Sequence, residues 1–242
     1  MEGRPLVTAI ICAAGLSLRM REKEKEKKAP HESSDSLKKE YLCLNDSPQS
    51  LTVLGSVVRS FAAVSSVSEI IIAIPENDEE KARRAIGQEY LESLELKLNF
   101  VNGGQTRQAS VYNSLSAIRN NPNYVLIHDG ARPWVSRYLI QNIIDAVQKY
   151  DAVVPLLYLT ETPKEINNGF VIRHLKRANT GAAQTPQAFK YPEIFHAHKK
   201  AALEQEEFTD DAEIWGKFCS PVAFIPGESK NIKITFPEDV SV

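Results

Sequence analysis

Five short runs rich in valine, isoleucine and leucine punctuate the chain: Val7–Cys12, Ile70–Ile74, Leu96–Val101, Tyr124–His128 and Ala152–Leu157. Runs that stay apolar on successive residues suit strands buried on both faces. The stretches between them carry helical periodicity. Leu51, Leu54, Val58 and Phe61 share one face of a helix from about Leu51 to Val64, and Asp78–Leu91, Arg107–Ile118 and Ser136–Lys149 repeat the pattern. Strand–helix–strand repetition leaves few solutions, because parallel neighbours need long crossovers that pack on the sheet. The chain is expected to be α/β, with a mostly parallel sheet and helices on both faces. In such sheets ligands bind beyond the carboxyl ends of the strands. The residues just after each run are therefore where chemistry is sought.

At 242 residues the chain fills one large domain, 1–242. Two segments interrupt the pattern. Residues 21–38 are dominated by alternating lysine and glutamate and read as a solvated loop insertion. Residues 160–184 carry a turn at Asn167-Asn168-Gly169 before a short run Phe170–Leu175, and read as an arm projecting from the sheet. The net charge of −2 argues against a nucleic-acid backbone as the main ligand and suits a small phosphorylated one. Cys12, Cys43 and Cys219 form no C-x-x-C pair, so neither a zinc site nor a disulfide framework is expected, and a reducing cytoplasm fits. Met1–Pro5 is polar and Leu6–Ala14 is too short to span a bilayer, so no leader or anchor is expected there.

The first run is followed by Ala13-Ala14-Gly15-Leu16-Ser17-Leu18-Arg19-Met20. Small residues let backbone N–H groups approach a phosphate, and Arg19 adds a fixed charge. This is neither G-x-G-x-x-G nor a P-loop, and taken alone it reads equally as a tight turn beside a surface arginine. Asp129, just after the fourth run, is placed to hold magnesium or the ribose and phosphates of a nucleotide. His128 could serve as a general base, but a satisfied structural histidine is the expected reading. In Asn231–Thr235, read as a strand, alternation sets Lys233 opposite Ile232 and Ile234 and so toward the cleft. Thr209-Asp210-Asp211 reads as a helix N-cap, with Thr209 or Asp210 capping Ala212–Phe218.

Four further motifs follow in order: Gly103-Gly104-Gln105-Thr106-Arg107-Gln108-Ala109-Ser110-Val111, His128-Asp129-Gly130-Ala131-Arg132-Pro133, Thr185-Pro186-Gln187-Ala188-Phe189, and Asn231-Ile232-Lys233-Ile234-Thr235 with Pro237-Glu238-Asp239. With the Ala13–Met20 loop and Lys39-Glu40-Tyr41, they make the chain resemble the 2-C-methyl-D-erythritol 4-phosphate cytidylyltransferase (IspD) family from Val7 to Asp239. The resemblance implies a Rossmann-like nucleotidyltransferase fold, transfer of CMP from CTP to a polyol phosphate, a divalent metal (normally Mg2+), and a homodimer whose arm embraces its partner.

It also implies roles. Arg19, Lys39 and Lys233 match the catalytic, phosphate-binding cations. Ala13, Ala14, Gly15, Gly104, Gln105 and Ser110 match the nucleotide-binding loops, and Asp129 the metal-facing carboxylate. Arg132, Thr162, Arg177 and Thr185 match acceptor-binding positions, with Thr162 and Arg177 supplied by the neighbour's arm. Arg107, read from the sequence itself, is either a ligand-cleft residue or a structural tie between loop carboxylates, and the structural role is the expectation.

Several positions depart from the family pattern. Ser17 stands for a usual glycine, Gly130 for alanine, and Lys38-Lys39-Glu40-Tyr41 for Pro-Lys-Gln-Tyr. Glu161-Thr162-Pro163-Lys164 replaces Asp-Thr-x-Lys, and the chain ends soon after Asp239, where the family continues as a helix. The insertion separates Arg19 from Lys39, which marks it as a candidate lid over CTP. A pentitol-phosphate cytidylyltransferase, using an acceptor such as ribitol 5-phosphate, shares these motifs. A sugar-1-phosphate nucleotidyltransferase shares the first loop but fits the later motifs less well. A non-catalytic nucleotide-binding regulator would keep the fold, but four placed groups (Arg19, Lys39, Asp129, Lys233) speak against it.

Overall fold

A computed structural model describes residues 4–15, 38–45, 47, 50–204 and 208–241. Arg19, Ser17 and nearly all of the polar insertion lie outside the described residues.

Strand β1 (Val7–Cys12) lies inside the sheet, paired on both edges. On one side it pairs in parallel with β2 (Val67–Ile74), which pairs in parallel with β3 (Lys97–Asn102). On the other it pairs in parallel with β4 (Tyr124–Asp129), in a register that sets Cys12 beside Asp129. Beyond β4, the short β9 (Gln187–Lys190) runs antiparallel between β4 and β5 (Ala152–Tyr158), and the edge strand β10 (Ala223–Pro226) is again parallel to β5. The sheet is mixed but mostly parallel, as the strand–helix alternation requires.

The pleat sorts the core. Ala9, Ile11, Ile70, Ile72 and Leu126 pack on one face with α1 (Val53–Ala62) and α5 (Arg137–Tyr150). Ile10, Ile71, Val125 and Ile127 pack on the other with α4 (Arg107–Ala117), α6 (Glu193–Ala201) and α7 (Asp211–Phe218). Burying each isoleucine contributes roughly 1.5–3 kcal/mol, so the central strands fix the frame that carries the loops.

Two elements differ from the sequence expectation. The helix expected over Asp78–Leu91 breaks into α2 (Glu79–Ile86) and α3 (Gln88–Glu92), because Gly87 takes φ 100°, which a helix does not accommodate. Residues 231–235, read as a strand from sequence, form none. Their backbone is tied to Ala131 and Asp239 instead of a neighbouring ladder.

The arm is as the turn signal requires. Strands β6 (Lys164–Asn167) and β7 (Phe170–His174) form a separate hairpin across Asn168 and Gly169, both at positive φ. Strand β8 (Gly181–Ala183) returns the chain along β5.

Candidate active site

The cleft forms where the central strands end. Gly103 N donates to Ile74 O at 2.8 Å and Ala13 N to Ala73 O at 2.9 Å, which draws two loops together. A Cβ on Gly103 would lie 2.2 Å from the Ala14 Cβ, and one on Gly104 2.4 Å from the Ala109 Cβ. The small residues are thus a packing requirement of the cleft floor. Thr106 caps α4 by accepting from Ala109 N at 3.0 Å. Ser110 donates to Thr106 O and accepts from Gly104 N at 3.1 Å, so its hydroxyl fixes the second loop.

The resulting cleft, about 870 Å³, gathers Ala14 and Gly15 from the first loop, Gly104, Gln105 and Ser110 from the second, and Lys39, Asp129 and Lys233. Ala13 is fully buried beneath it. Lys38 and Lys39 part company. Lys38 is buried and its Nζ donates to Ala13 O, whereas Lys39 reaches the cleft and donates to Ile234 O at 2.8 Å. Of the two adjacent lysines, Lys39 is the one that lines the cleft.

Asp129 faces three cations: Lys233 Nζ at 2.8 Å, Arg107 Nε at 3.2 Å and Arg132 Nε at 3.5 Å. Burial alone would raise its carboxyl. Arg107, Lys233 and Arg132 outweigh that and hold it well below the usual carboxylate range. Lys233 is aimed here by anchors on either side. Ile234 is fully buried and its N donates to Ala131 O, while Asn231 is buried and its Nδ2 donates to Thr185 O at 2.8 Å.

The remaining expected site residues stand apart from the cleft lining. Arg132 lies behind Asp129 and donates to Asn231 O at 2.8 Å. Thr185 is buried, with its hydroxyl accepting from Asp129 N and donating to His128 Nδ1, each at 3.0 Å. Thr162 and Arg177 are exposed on the arm, where Arg177 Nη1 donates to Thr160 O at 2.7 Å.

Because His128 Nδ1 accepts from Thr185, its Nε2 carries the hydrogen and donates to Arg132 O at 3.2 Å. The ring is fully buried, and burial pushes its pKa down to about 4. The fold therefore binds fewer protons at this site than the unfolded chain does. The stability it contributes is complete above about pH 6.5 and is lost as the pH falls toward 4, on the order of 3 kcal/mol in all. Urea unfolding at pH 7, 5.5 and 4.5 measures this slope, and a His128→Gln variant is expected to flatten it. Asp129 and Asp211, both depressed, weaken the fold only at still lower pH.

The expected tie of loop carboxylates by Arg107 is present, and the sequence did not name its inner partner. Of the two candidate caps for α7, Asp210 is the one used, accepting from Glu213 N at 2.9 Å. That frees Asp211, fully buried, to meet Arg107 Nη1 at 2.8 Å. Arg107 thus ties two carboxylates, Asp129 and Asp211. Glu40 is buried at the cleft wall, and among the described residues its Oε2 has no hydrogen-bond partner. Burial pushes its carboxyl up, against the pull of Lys38 and Lys39. No single-sequence signal marks these long-range partners.

A family model described as 2-C-methyl-D-erythritol 4-phosphate cytidylyltransferase, IspD, matches residues 7–242. The chain belongs to the IspD family. A relative of that name from Clostridium botulinum is 36% identical over 98% of this chain and 97% of its own length. A bifunctional IspD/IspF enzyme from Bartonella tribocorum is 34% identical over 96% of this chain, which spans only 54% of that protein. The chain therefore covers about half the length of its bifunctional relatives. Among solved structures, 4-diphosphocytidyl-2C-methyl-D-erythritol synthase from Anaerococcus prevotii superposes with a TM-score of 0.76 at 28% identity, over 98% of this chain and 96% of that one. The IspD of Thermus thermophilus gives 0.72 at 29% identity, over 97% and 95%.

Among the described residues no three His, Cys, Asp or Glu side chains gather as a metal cage. Magnesium is commonly held by one or two carboxylates together with substrate phosphates. Asp129, a carboxylate lining this cleft beside Lys233, has the donor chemistry for such an ion.

Proposed function

We propose that this chain transfers CMP from CTP to 2-C-methyl-D-erythritol 4-phosphate, giving 4-diphosphocytidyl-2-C-methyl-D-erythritol and pyrophosphate. A phosphate oxygen of the acceptor attacks the α-phosphorus, the bond to the bridging oxygen of the β-phosphate breaks, and pyrophosphate leaves with that electron pair. The acceptor phosphate is already a nucleophile near neutral pH, so no covalent enzyme intermediate is needed. The work is to bring two polyanions together and to stabilise charge moving onto the leaving group.

The observation that carries this reading is the convergence of Lys39, Lys233 and Asp129 in one cleft walled by small-residue loops. Lys39 and Lys233 face the triphosphate, with Arg19 assigned beside them from the motif alone. Asp129 steers Lys233 and would hold the magnesium, which would supply further neutralisation of the phosphates when bound. Gly104, Gln105, Ser110 and the first-loop alanines accept the cytosine. Among the described residues no helix is long and apolar enough to cross a membrane. The sparse, unpaired cysteines support a reducing compartment, and we place the reaction in the cytoplasm.

The acceptor site is completed by a second subunit. Arm residues Ile166, Phe170, Val171 and Ile172 are 72%, 73%, 52% and 56% exposed, an apolar surface that a homodimer would cover. In that dimer the arm delivers Thr162 and Arg177 to the partner's cleft, where Arg132 and Thr185 support the floor. Pyrophosphate release with CTP, magnesium and 2-C-methyl-D-erythritol 4-phosphate tests the reading. Ribitol 5-phosphate and a sugar 1-phosphate serve as parallel acceptors. Release with methylerythritol phosphate alone is expected. Release with ribitol 5-phosphate alone would move the enzyme to pentitol chemistry, and CTP binding without release from any acceptor would leave a regulator.

A further inference from the structure

Arg107 is gripped at both ends. Its Nε faces Asp129 Oδ1 at 3.2 Å and its Nη1 meets Asp211 Oδ2 at 2.8 Å. The grip on Asp211 continues inward, since its Oδ1 accepts from Nε2 of His198, on α6, at 3.1 Å. Both Asp211 and His198 are fully buried. The backbone under Asp211 is pinned as well. Gln187 Oε1 accepts from Ala212 N at 3.0 Å and Gln187 Nε2 donates to the capping Asp210 at 2.8 Å.

His198 is an expensive way to fill this space. Among the described residues its Nδ1 has no hydrogen-bond partner, and a buried polar atom left unpaired is a standing cost that a leucine would avoid. What the ring supplies in return is its one hydrogen bond, to Asp211. A guanidinium is a planar fork, so fixing one edge on Asp211 fixes the orientation of the edge that meets Asp129. Asp129 in turn receives Lys233 at 2.8 Å.

We propose that His198 and Asp211 are positioning residues: a buried pair that orients Arg107, and through it the Asp129 carboxylate and Lys233. The inference rests on the cytidylyltransferase reading. Neither residue touches substrate. Loss of the pair loosens the group that must be in place as charge moves onto pyrophosphate, so the defect falls on turnover. Binding of CTP, which relies on the loops and on Lys39, is spared.

The test measures kcat, KM for CTP and thermal melting for the parent and for His198→Gln, His198→Leu and Asp211→Asn, with methylerythritol phosphate as acceptor. Glutamine returns an N–H donor near the place of Nε2, whereas leucine fills the space without one. In the leucine and asparagine variants kcat is expected to fall about tenfold or more while KM for CTP moves less than about threefold. Glutamine is expected to restore kcat to within about threefold of the parent, although its melting temperature falls as leucine's does. Equal kcat in the glutamine and leucine variants, or losses that only follow the folded fraction, would overturn the proposal. If His198→Leu does not fold, the contrast of His198→Gln with Asp211→Asn decides by the same criterion. A parent that binds CTP but releases no pyrophosphate overturns the activity and the pair's role together.

Discussion

Replacing Lys233 by alanine lowers pyrophosphate release by about 10²–10³-fold, the range set by removing one preorganised group that stabilises transition-state charge. The ammonium lies 2.8 Å from Asp129 and lines the cleft with about a third of its side chain exposed, so it is held in place but open to a ligand. The leaving pyrophosphate gains charge as the α-phosphorus bond breaks, and a fixed cation there acts more strongly on the transition state than on bound CTP. The loss should fall mainly on kcat. Folding is spared. Asp129 keeps Arg107 and Arg132, and the segment keeps its anchors through Ile234 and Asn231. Single-turnover measurement of CMP transfer, beside a thermal melt, reads both effects. Activity within a few-fold of the parent would remove Lys233 from the chemistry and leave it as a partner of Asp129.

How far the sequence led depends on the range of each interaction. The strands β1, β2, β4 and β5 were legible because burial on both faces leaves continuous apolar runs, and the arm because Asn168-Gly169 supplies two positive-φ residues between extended segments. The break at Gly87 was hidden inside a helical period that continues on both sides of it. Lys233 pointed to the cleft for a different reason from the one alternation gave: residues 231–235 lack a ladder and are held by side-chain anchors. Lys38 and Lys39 are adjacent and chemically alike, so only Lys38's burial against Ala13 separates them. The His198–Asp211–Arg107 chain joins α6, α7 and α4, and no local spacing records it. Thr185 was read as an acceptor contact. The structure shows its hydroxyl committed to Asp129 N and His128, which places it under the floor.

Mixing two inactive variants should restore activity, and this is the sharpest consequence of a shared site. Arg177 is exposed on the arm and does not line the cleft of its own subunit, whereas Lys233 does. If the arm completes the neighbour's acceptor site, Arg177→Ala is expected to lower kcat/KM for the acceptor phosphate by about 10²-fold, the scale of losing a charge-assisted, two-pronged phosphate contact. CTP binding would be unchanged. Lys233→Ala is defective for a separate reason. In a heterodimer of the two, one cleft holds an intact Lys233 and receives an intact Arg177 from its partner, while the other cleft carries both lesions. Random reassortment makes half the dimers mixed, so activity should recover to about a quarter of the parent's from two preparations that are each nearly inactive. The mixture must first be dissociated and reassembled, and light scattering or sedimentation confirms the dimer. A mixture no more active than the average of its parts would mean that Arg177 serves its own subunit or none. It would also leave the exposed Phe170 and Ile172 face of the arm without the role assigned to it.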